Sequence, residues 1–176
     1  MQKGGEYAAR AISEHFGINV LRYISFSRQE FISFIDSFEP IAIDIPENMS
    51  QTDRKNDIYI KIDQGRRLIG GSLMLDIFAY TKWKGKAPEG LYQSALTLAT
   101  FLSQNGSKLM SAESFILSSA KTNLSALDFE QKRELLNYHF SRENPVESVR
   151  IYGEFQLENT QFVLTSASKT KISAIF

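Results

Sequence analysis

The sequence of 176 residues contains no cysteine and only two histidines. Without cysteine, thiol catalysis, disulfide bonds and cysteine metal sites are all excluded. The histidines, His15 and His139, both fall in predicted helices beside apolar neighbours, and neither has a second ligand at a spacing typical of metal sites. No G-x-S-x-G motif, Walker loop or dinucleotide-binding fingerprint is present. The common nucleophile and nucleotide motifs are therefore absent from this chain.

Charge and hydropathy exclude two further classes of protein. Twenty basic and twenty acidic side chains cancel, so no overall charge draws the chain to nucleic acid or to an anionic membrane. No run of 18 apolar residues could span a bilayer, and the start, "MQKGGEYAAR", lacks the apolar core of a signal peptide. We therefore predict a single domain over residues 1–176, without a nucleic-acid partner, that reaches a membrane only through a segment absent here.

The best-specified stretch is "INVLRYISFSRQEFISFIDSFEPIAIDIPEN", residues 18–48. Ser27 and Glu30 have the spacing of a capping box at a helix start, and Phe26 and Phe31 have that of a hydrophobic staple. Alternation before this helix predicts a well-buried strand over residues 19–26. After the helix ends at Pro40, "IAIDIP" predicts a second strand.

The rest of the chain alternates between helical and strand patterns. Residues 47–56, "ENMSQTDRKN", are polar and indicate an exposed loop. This alternation favours an α/β fold with helices on the faces of a sheet. Further helices are predicted over residues 6–16, 68–83, 87–106, 111–120 and 124–140, and further strands over residues 57–62, 147–157 and 161–168.

A basic and aromatic stretch, "AYTKWKGK", is the first candidate site. Clustered cations could hold a phosphate or pyrophosphate, and Tyr80 and Trp83 could stack on a sugar or base. The simpler alternative is a solvated helix end whose lysines interact with the helix dipole. The candidate phosphate-binding residues are Lys82 and Lys84, with Lys86 nearby, and Arg66 and Arg67 from the preceding "GRR".

Acidic residues are scattered rather than grouped in the sequence. They are typical of solvated loops, and an oxygen-only magnesium site is the alternative. The scattered acids are Asp44, Glu47, Asp53, Asp57 and Asp63. None of them is assigned as a metal ligand.

Four segments, in order, resemble the LytR-CpsA-Psr (LCP) domain. The first runs from the "GG" start through "FGI" to "FID" and "IDIP" at residues 34–36 and 43–46. The second is "IKIDQGRRLIGGSLML", with Leu68 and Gly70 before a helix, and the third is "KTNLSALDF", residues 121–129. The closing "VRIYGEF" and "QFVLTSAS" are similar to the last two strands of the domain.

The resemblance implies a three-layer α/β/α sandwich with a mixed sheet and helices on both faces. It also implies a bacterial cell-envelope protein that transfers a glycopolymer from a polyprenyl-pyrophosphate carrier to peptidoglycan. Arginines and Mg²⁺ would then lie at the pyrophosphate, beside an apolar groove for the lipid that the stretch 18–48 lines or backs. On this reading the location is extracytoplasmic, and the chain is N-terminally truncated relative to the family.

The chain departs from the family pattern where chemistry is expected. The family's first strands, with metal-binding aspartates, are not represented, and Phe78 and Tyr80 fall where two arginines would stand. Lys82 and Lys84 match those positions after a two-residue insertion, and only Gln93 resembles the later arginine-rich helix. Three hypotheses stay open: a divergent phosphotransferase, a non-catalytic module for a polyprenyl lipid or glycan, and an interaction domain that dimerises through an exposed sheet edge.

Overall fold

In the computed structural model of the chain, residues 4–84, 86–142, 146, 153–156 and 161–173 are described. The helices among them are α1 Gly4–Phe16, α2 Arg28–Asp36, α3 Gly71–Ala79, α4 Lys86–Asn105, α5 Glu113–Ser119, α6 Ala126–Phe140 and α7 Ser166–Ser173, with a 3₁₀ helix Gly106–Ala112 before α5. The strands are β1 Ile24–Ser25, β2 Ile41–Ile45, β3 Met49–Asp53, β4 Ile58–Ile62, β5 Gly65–Ile69, β6 Lys121–Thr122, β7 Gly153–Gln156 and β8 Gln161–Leu164.

Local capping motifs set the starts of α2 and α6. The Ser27 hydroxyl accepts a hydrogen bond from the Glu30 amide at 3.3 Å, and the Glu30 carboxylate accepts one from the Ser27 amide at 2.6 Å. Ser125 and Asp128 form the same reciprocal pair at the start of α6. These bonds satisfy amides that have no partner inside the helix. The predicted capping box of residues 27–30 is therefore confirmed.

The described strands pair two at a time, and every pair is antiparallel. The pairs are β1 with β6, β2 with β5, β3 with β4 and β7 with β8. Helices and strands pack around one buried apolar cluster that draws side chains from both. The predicted α/β fold class is thereby confirmed.

Phe34 of α2 lies at the centre of an aromatic group within this core. Its ring stacks on Phe26 with centroids 4.9 Å apart, and it meets Phe38 edge-on at 5.3 Å. Phe101 of α4 and Phe115 of α5 also lie within 6.5 Å of it. Aromatic pairs in this distance range add stability beyond the area that they bury. The predicted helix thus connects the N-terminal stretch to the helices of the second half.

Two predictions for the first half of the chain are wrong. Residues 47–56 are not an exposed loop, because β3 pairs with β4 and turns Met49 and Gln51 into the interior. The buried Gln51 side-chain oxygen accepts hydrogen bonds from the amide and hydroxyl of Thr81, at 2.9 and 3.1 Å. A polar residue can therefore occupy the inner face of this strand without an unpaired group.

The predicted buried strand over residues 19–26 is reduced to the two residues of β1. Leu21 and Ile24 are 64% and 43% exposed. The Asn123 side chain replaces the missing ladder, accepting from the Tyr23 amide at 3.0 Å and donating to the Leu21 carbonyl at 2.9 Å. A side-chain amide satisfies these backbone groups, so a longer strand is not needed.

Three further boundaries differ from the prediction. Residues 65–69 form strand β5, so the helix predicted over 68–83 begins only at Gly71 and ends at Ala79. The strand predicted over 161–168 ends at Leu164, and α7 follows it. The strand predicted over 147–157 is present where the structure describes it, as β7, and its other residues lie outside the described part. None of the described helices combines the length and apolar character needed to cross a membrane.

Candidate functional site: an apolar cavity with a charged rim

A cavity of about 660 Å³ lies between the N-terminal stretch and the helices of the second half. Its volume falls inside the range of roughly 300–1,000 Å³ that is usual for small-molecule sites. Apolar side chains dominate the lining: Leu21, Ile24, Phe26, Phe31, Phe34, Ile35, Leu98, Phe101, Leu102, Leu109, Met110, Ile116, Leu124, Phe129, Leu136 and Phe140.

The cavity has a buried floor and an exposed rim. Phe101 and Ile116 on the floor are 1% and 4% exposed, whereas Leu21, Ile24 and Leu98 on the rim are 64%, 43% and 40% exposed. An apolar rim open to solvent would be covered if an apolar ligand entered. Part of the apolar lining is therefore open to solvent, where a bound molecule would cover it.

The stretch 18–48 supplies one wall of this cavity. The staple residues Phe26 and Phe31 line it together with Phe34 and Ile35 of α2, while Leu21 and Ile24 contribute to the rim. Spacing along α2 explains the arrangement, because residues 31, 34 and 35 share one face of a helix. The stretch 18–48 therefore lines this cavity, and the lipid groove that the family resemblance implied for it stays a prediction.

Charged side chains in the cavity lining are few and are drawn from two segments. They are Arg22, which precedes β1, and Asp128 and Lys132, which lie one turn apart on α6. The Arg22 Nε and Nη2 atoms donate to the same Asp128 oxygen, Oδ1, at 2.9 and 2.7 Å. The other carboxylate oxygen of Asp128 accepts from the amide and hydroxyl of Ser125, at 2.9 and 2.7 Å.

These hydrogen bonds favour the ionised form of Asp128. The bond from the Ser125 side chain, followed by that from Arg22, lowers the pKa of Asp128 from 3.8 to about 2. Arg22 is therefore held beside a carboxylate that stays charged at all ordinary pH values.

The predicted phosphate-binding residues lie elsewhere. None of Arg66, Arg67, Lys82 or Lys84 lines the cavity. The two arginines lie on β5, before α3, whereas the lysines follow α3, so the pairs stand at opposite ends of a helix about 13 Å long. The Arg67 side chain bonds locally to the Asp63 carbonyl at 3.2 Å. Both lysine side chains are exposed. Phosphate binding by these four residues stays a prediction, and it does not involve the cavity.

The aromatic rings of the basic stretch are part of the core. Tyr80 and Trp83 are 6% and 5% exposed and meet edge-on, with ring centroids 5.0 Å apart. A buried ring cannot offer its face to a sugar or base, so the predicted stacking role is wrong. The lysines on either side of Trp83 point to solvent while the ring turns inward.

The Lys86 and His15 side chains lie outside the described residues, and His139 is exposed on α6.

Several of the scattered acids have structural partners. Glu47 is buried and accepts from the Lys84 amide at 3.1 Å, and Asp53 accepts from the amides of Lys55 and Asn56 in the turn after β3. In the part of the chain that the structure describes, no three acidic or histidine side chains come together in a group that could hold a metal ion. The Mg²⁺ that the resemblance implies has no matching ligand set among these residues.

Solved structures share the fold of this chain at low sequence identity. A protein from Eubacterium siraeum DSM 15702, solved as a transcription regulator, matches with a TM-score of 0.82 at 17% identity, over 96% of this chain and 68% of the other. TagV from B. subtilis matches with a TM-score of 0.70 at 12% identity, over 98% of this chain and 69% of TagV. TagT, solved bound to LI-WTA, matches with a TM-score of 0.66 at 12% identity, over 98% of this chain and 66% of TagT.

Sequence comparison identifies the family. No curated protein sequence matches the chain. The sequence model of the LytR_cpsA_psr family, in contrast, matches residues 1–171, which is nearly the whole chain. The order of segments that resembled this domain is therefore explained by descent, and the chain belongs to the LytR_cpsA_psr family.

Proposed function

We propose that this chain is a cell-envelope protein that binds the isoprenoid tail of a polyprenyl-linked glycopolymer in its apolar cavity. The observation that carries the proposal is the cavity itself, about 660 Å³ in volume and lined almost throughout by apolar side chains. Family membership supports the choice of ligand, and the structural neighbour TagT has been solved bound to LI-WTA.

The lining suits a flexible hydrocarbon chain better than a polar ligand. Each buried CH₂ group adds about 0.8 kcal/mol of favourable transfer energy, and the floor residues Phe101 and Ile116 offer no hydrogen bond that a hydrocarbon would leave unmade. The exposed rim leucines, Leu21 and Leu98, can cover further carbons outside the cavity. Affinity should therefore rise with chain length until floor and rim are both filled.

The proposed activity is binding, and transfer of the glycopolymer stays a prediction from the family. Because the described residues contain no metal-binding group of three, the proposal uses no step that involves Mg²⁺. The proposed location is the extracytoplasmic side of the envelope, where polyprenyl carriers of this family present their glycans. Homodimer formation is likewise a prediction, which the mass measurement below also reports.

The test is native mass spectrometry of the 176-residue chain mixed with farnesol, an uncharged three-isoprene alcohol. Leu98→Gln, at the rim, is compared with Leu91→Gln, which lies two turns earlier on α4, is 72% exposed and does not line the cavity. Burying a leucine contributes about 1.5–3 kcal/mol. We therefore expect Leu98→Gln to weaken farnesol binding about tenfold.

The Leu91 variant should bind farnesol as the unmodified chain does. No retained farnesol, or equal losses in both variants, would refute the cavity as the binding site. A geraniol arm, one isoprene shorter, should bind more weakly than farnesol if the apolar surface drives binding.

A further inference from the structure

We infer that the open edge of β1 and the outer face of α1 form an interface for a second copy of this chain. The second copy adds its own β1 to that edge and packs its α1 against α1. The inference does not depend on lipid binding, because it uses the backbone edge of β1 and a helix that does not line the cavity. It gives the predicted homodimer a defined surface.

The first observation is that one edge of β1 is open. On the other edge, β1 pairs with β6, and Asn123 extends this pairing to the Tyr23 amide and the Leu21 carbonyl. Because backbone groups of successive residues in a strand point to opposite edges, those of Arg22 and Ile24 point away from β6. Among the described residues they have no hydrogen-bond partner on that side. An unpaired edge of this kind is a template for another extended chain.

The second observation is that α1 flanks this edge. The Val20 amide, which alternates with that of Tyr23 and so points away from β6, donates to the Ser13 hydroxyl of α1 at 2.9 Å. Gly5 lies so close to Tyr23 that a Cβ atom on the glycine would overlap the aromatic ring. Ala9, between these two positions, is buried. The face of α1 that carries residues 5, 9 and 13 therefore holds the helix beside the open edge.

The third observation is a second apolar face on α1 that no described residue covers. Tyr7 and Ile12 are 70% and 41% exposed, and Ala8 and Ala11 are exposed between them. The spacing of these four residues places them on one side of the helix, away from the face that contacts Tyr23. An exposed apolar face next to an open strand edge is typical of a surface that a partner covers.

The order of side-chain sizes on this face favours a second copy as the partner. A large residue, two small residues and a large residue follow one another, so the pattern reads the same in both directions. In an antiparallel pair of α1 helices, Tyr7 lies opposite Ile12 of the second copy, and Ala8 lies opposite Ala11. The small residues let the two helices approach at the centre, and the large residues fill the ends. A twofold axis requires a self-complementary surface of this kind.

The strand edge is self-complementary about the same type of axis. With the axis at Tyr23, Arg22 of one copy faces Ile24 of the other in an antiparallel pair. The amide and carbonyl of each residue then bond to those of the residue opposite, so the free groups of the edge are all satisfied. The two β1–β6 pairs become one four-stranded sheet. An apolar partner without a strand would leave these backbone groups unpaired.

The test is sedimentation velocity of the 176-residue chain over a range of concentrations, because dimer formation depends on protomer concentration. Ala11→Glu and Ala8→Lys each place a charge at the centre of the apolar face, and both positions are exposed in the single chain. We expect each variant alone to weaken dimerisation about tenfold. An equimolar mixture of the two should recover dimerisation, because the new charges are opposite in sign and face each other across the axis.

Ala126→Glu is the matched control. It makes the same change at an exposed position at the start of α6, which follows the strand on the other edge of β1. This variant should dimerise as the unmodified chain does. A chain that stays monomeric at every concentration would overturn the inference. A dimer that neither Ala11→Glu nor Ala8→Lys weakens, or a mixture that does not recover dimerisation, would overturn it as well.

Hydrogen exchange tests the strand edge separately from the helix face. The Arg22 and Ile24 amides should exchange slowly in a concentrated sample and fast in a dilute one, whereas the Tyr23 amide, which is bonded to Asn123, should be protected in both. Equal protection of the two edge amides at every concentration would mean that another segment of the same chain covers the edge, and would refute the second copy as its occupant. Farnesol binding should be the same in all of these variants, so this interface and the lipid site can fail independently.

Discussion

Asp36, the last residue of α2, caps α3 through Gly71. Its Oδ1 atom accepts a hydrogen bond from the Gly71 amide at 2.7 Å. The two helices are packed so closely here that a Cβ atom on Gly71 would lie 2.6 Å from the Cα and carbonyl oxygen of Ile32. One carboxylate and one missing side chain therefore fix how α2, a wall of the cavity, meets the next helix.

Gly71→Ala should destabilise the protein, although alanine normally favours a helix over glycine. The new methyl group would meet backbone atoms of α2, which cannot move aside as a flexible side chain can. We expect a loss of about 1–3 kcal/mol in the free energy of unfolding, measured by urea denaturation. Ser72→Ala, at an exposed position one residue on, is the control. Equal stability of Gly71→Ala and the unmodified chain would contradict the close approach of the two helices.

Asp36→Ala should lower the free energy of unfolding by about 0.5–2 kcal/mol, because it leaves the Gly71 amide in the first turn of α3 without its side-chain acceptor. Asp36→Asn keeps an oxygen that can accept from Gly71 and should lose less. The free energies of unfolding of the two variants give the comparison. If asparagine were as damaging as alanine, the hydrogen bond would not be the reason that Asp36 matters.

Asp76→Asn should stabilise the protein at neutral pH. Burial raises the pKa of Asp76 above 3.8, and the Arg28 guanidinium, 4.0 Å away, only partly offsets this. Since the folded chain binds the proton more tightly than the unfolded chain, the ionised carboxylate lowers stability above the folded pKa. The gain from asparagine should be full at pH 7, should shrink as the pH falls through the raised folded pKa, and should be lost below pH 3.8. Urea denaturation at pH 7 and 3.5 measures it, and Asp44→Asn, exposed on β2, serves as the control.

Asp128→Asn should lower stability at neutral pH and remove part of the acid sensitivity of the chain. The pKa of Asp128 is about 2 when folded, so its contribution is present above pH 3.8 and is lost as the pH falls towards 2. The stability difference between the unmodified chain and the variant should therefore close over that window. A difference that persisted unchanged at pH 2 would argue against the ionised Ser125–Asp128–Arg22 arrangement.

Asn123→Asp tests the side-chain bridge behind the cavity rim. A carboxylate can still accept from the Tyr23 amide but cannot donate to the Leu21 carbonyl. We expect a loss of about 0.5–1.5 kcal/mol in the free energy of unfolding at pH 7, because the solvent-exposed Leu21 carbonyl exchanges its side-chain donor for water beside a new charge. Hydrogen exchange at Tyr23 should accelerate, while exchange in α3 should stay as it was.

Sequence reasoning succeeded where the signal is local. The capping box at Ser27 and the Phe26–Phe31 staple depend on residues within five positions of each other. It failed for β3, because the burial of Gln51 depends on Thr81, which lies 30 residues away. Polar composition alone could not reveal that Thr81, two residues after α3, would donate hydrogen bonds to the buried Gln51 side chain.

The same distinction between local signals and long-range contacts explains which parts of the candidate site could be predicted from the sequence. The family resemblance implied an apolar groove that the stretch 18–48 lines or backs. It did not point to Arg22 and Lys132, since Arg22 reads as one residue of an alternating strand and Lys132 as one of several charges on α6. The two residues lie at the same rim because the Arg22 side chain bonds to Asp128, which is 106 positions later in the sequence.

The Asn123 bridge and the Arg22–Asp128 pair also bear on the order of folding. Both join segments about 100 residues apart along the chain, whereas α2 and α6 are stabilised at their starts by neighbours three residues away. Long loops are closed late and at an entropic cost, so the helices should form before the rim does. If the rim closes last, the cavity is complete only in the native state, so a ligand of the cavity should slow unfolding and leave the refolding rate unchanged.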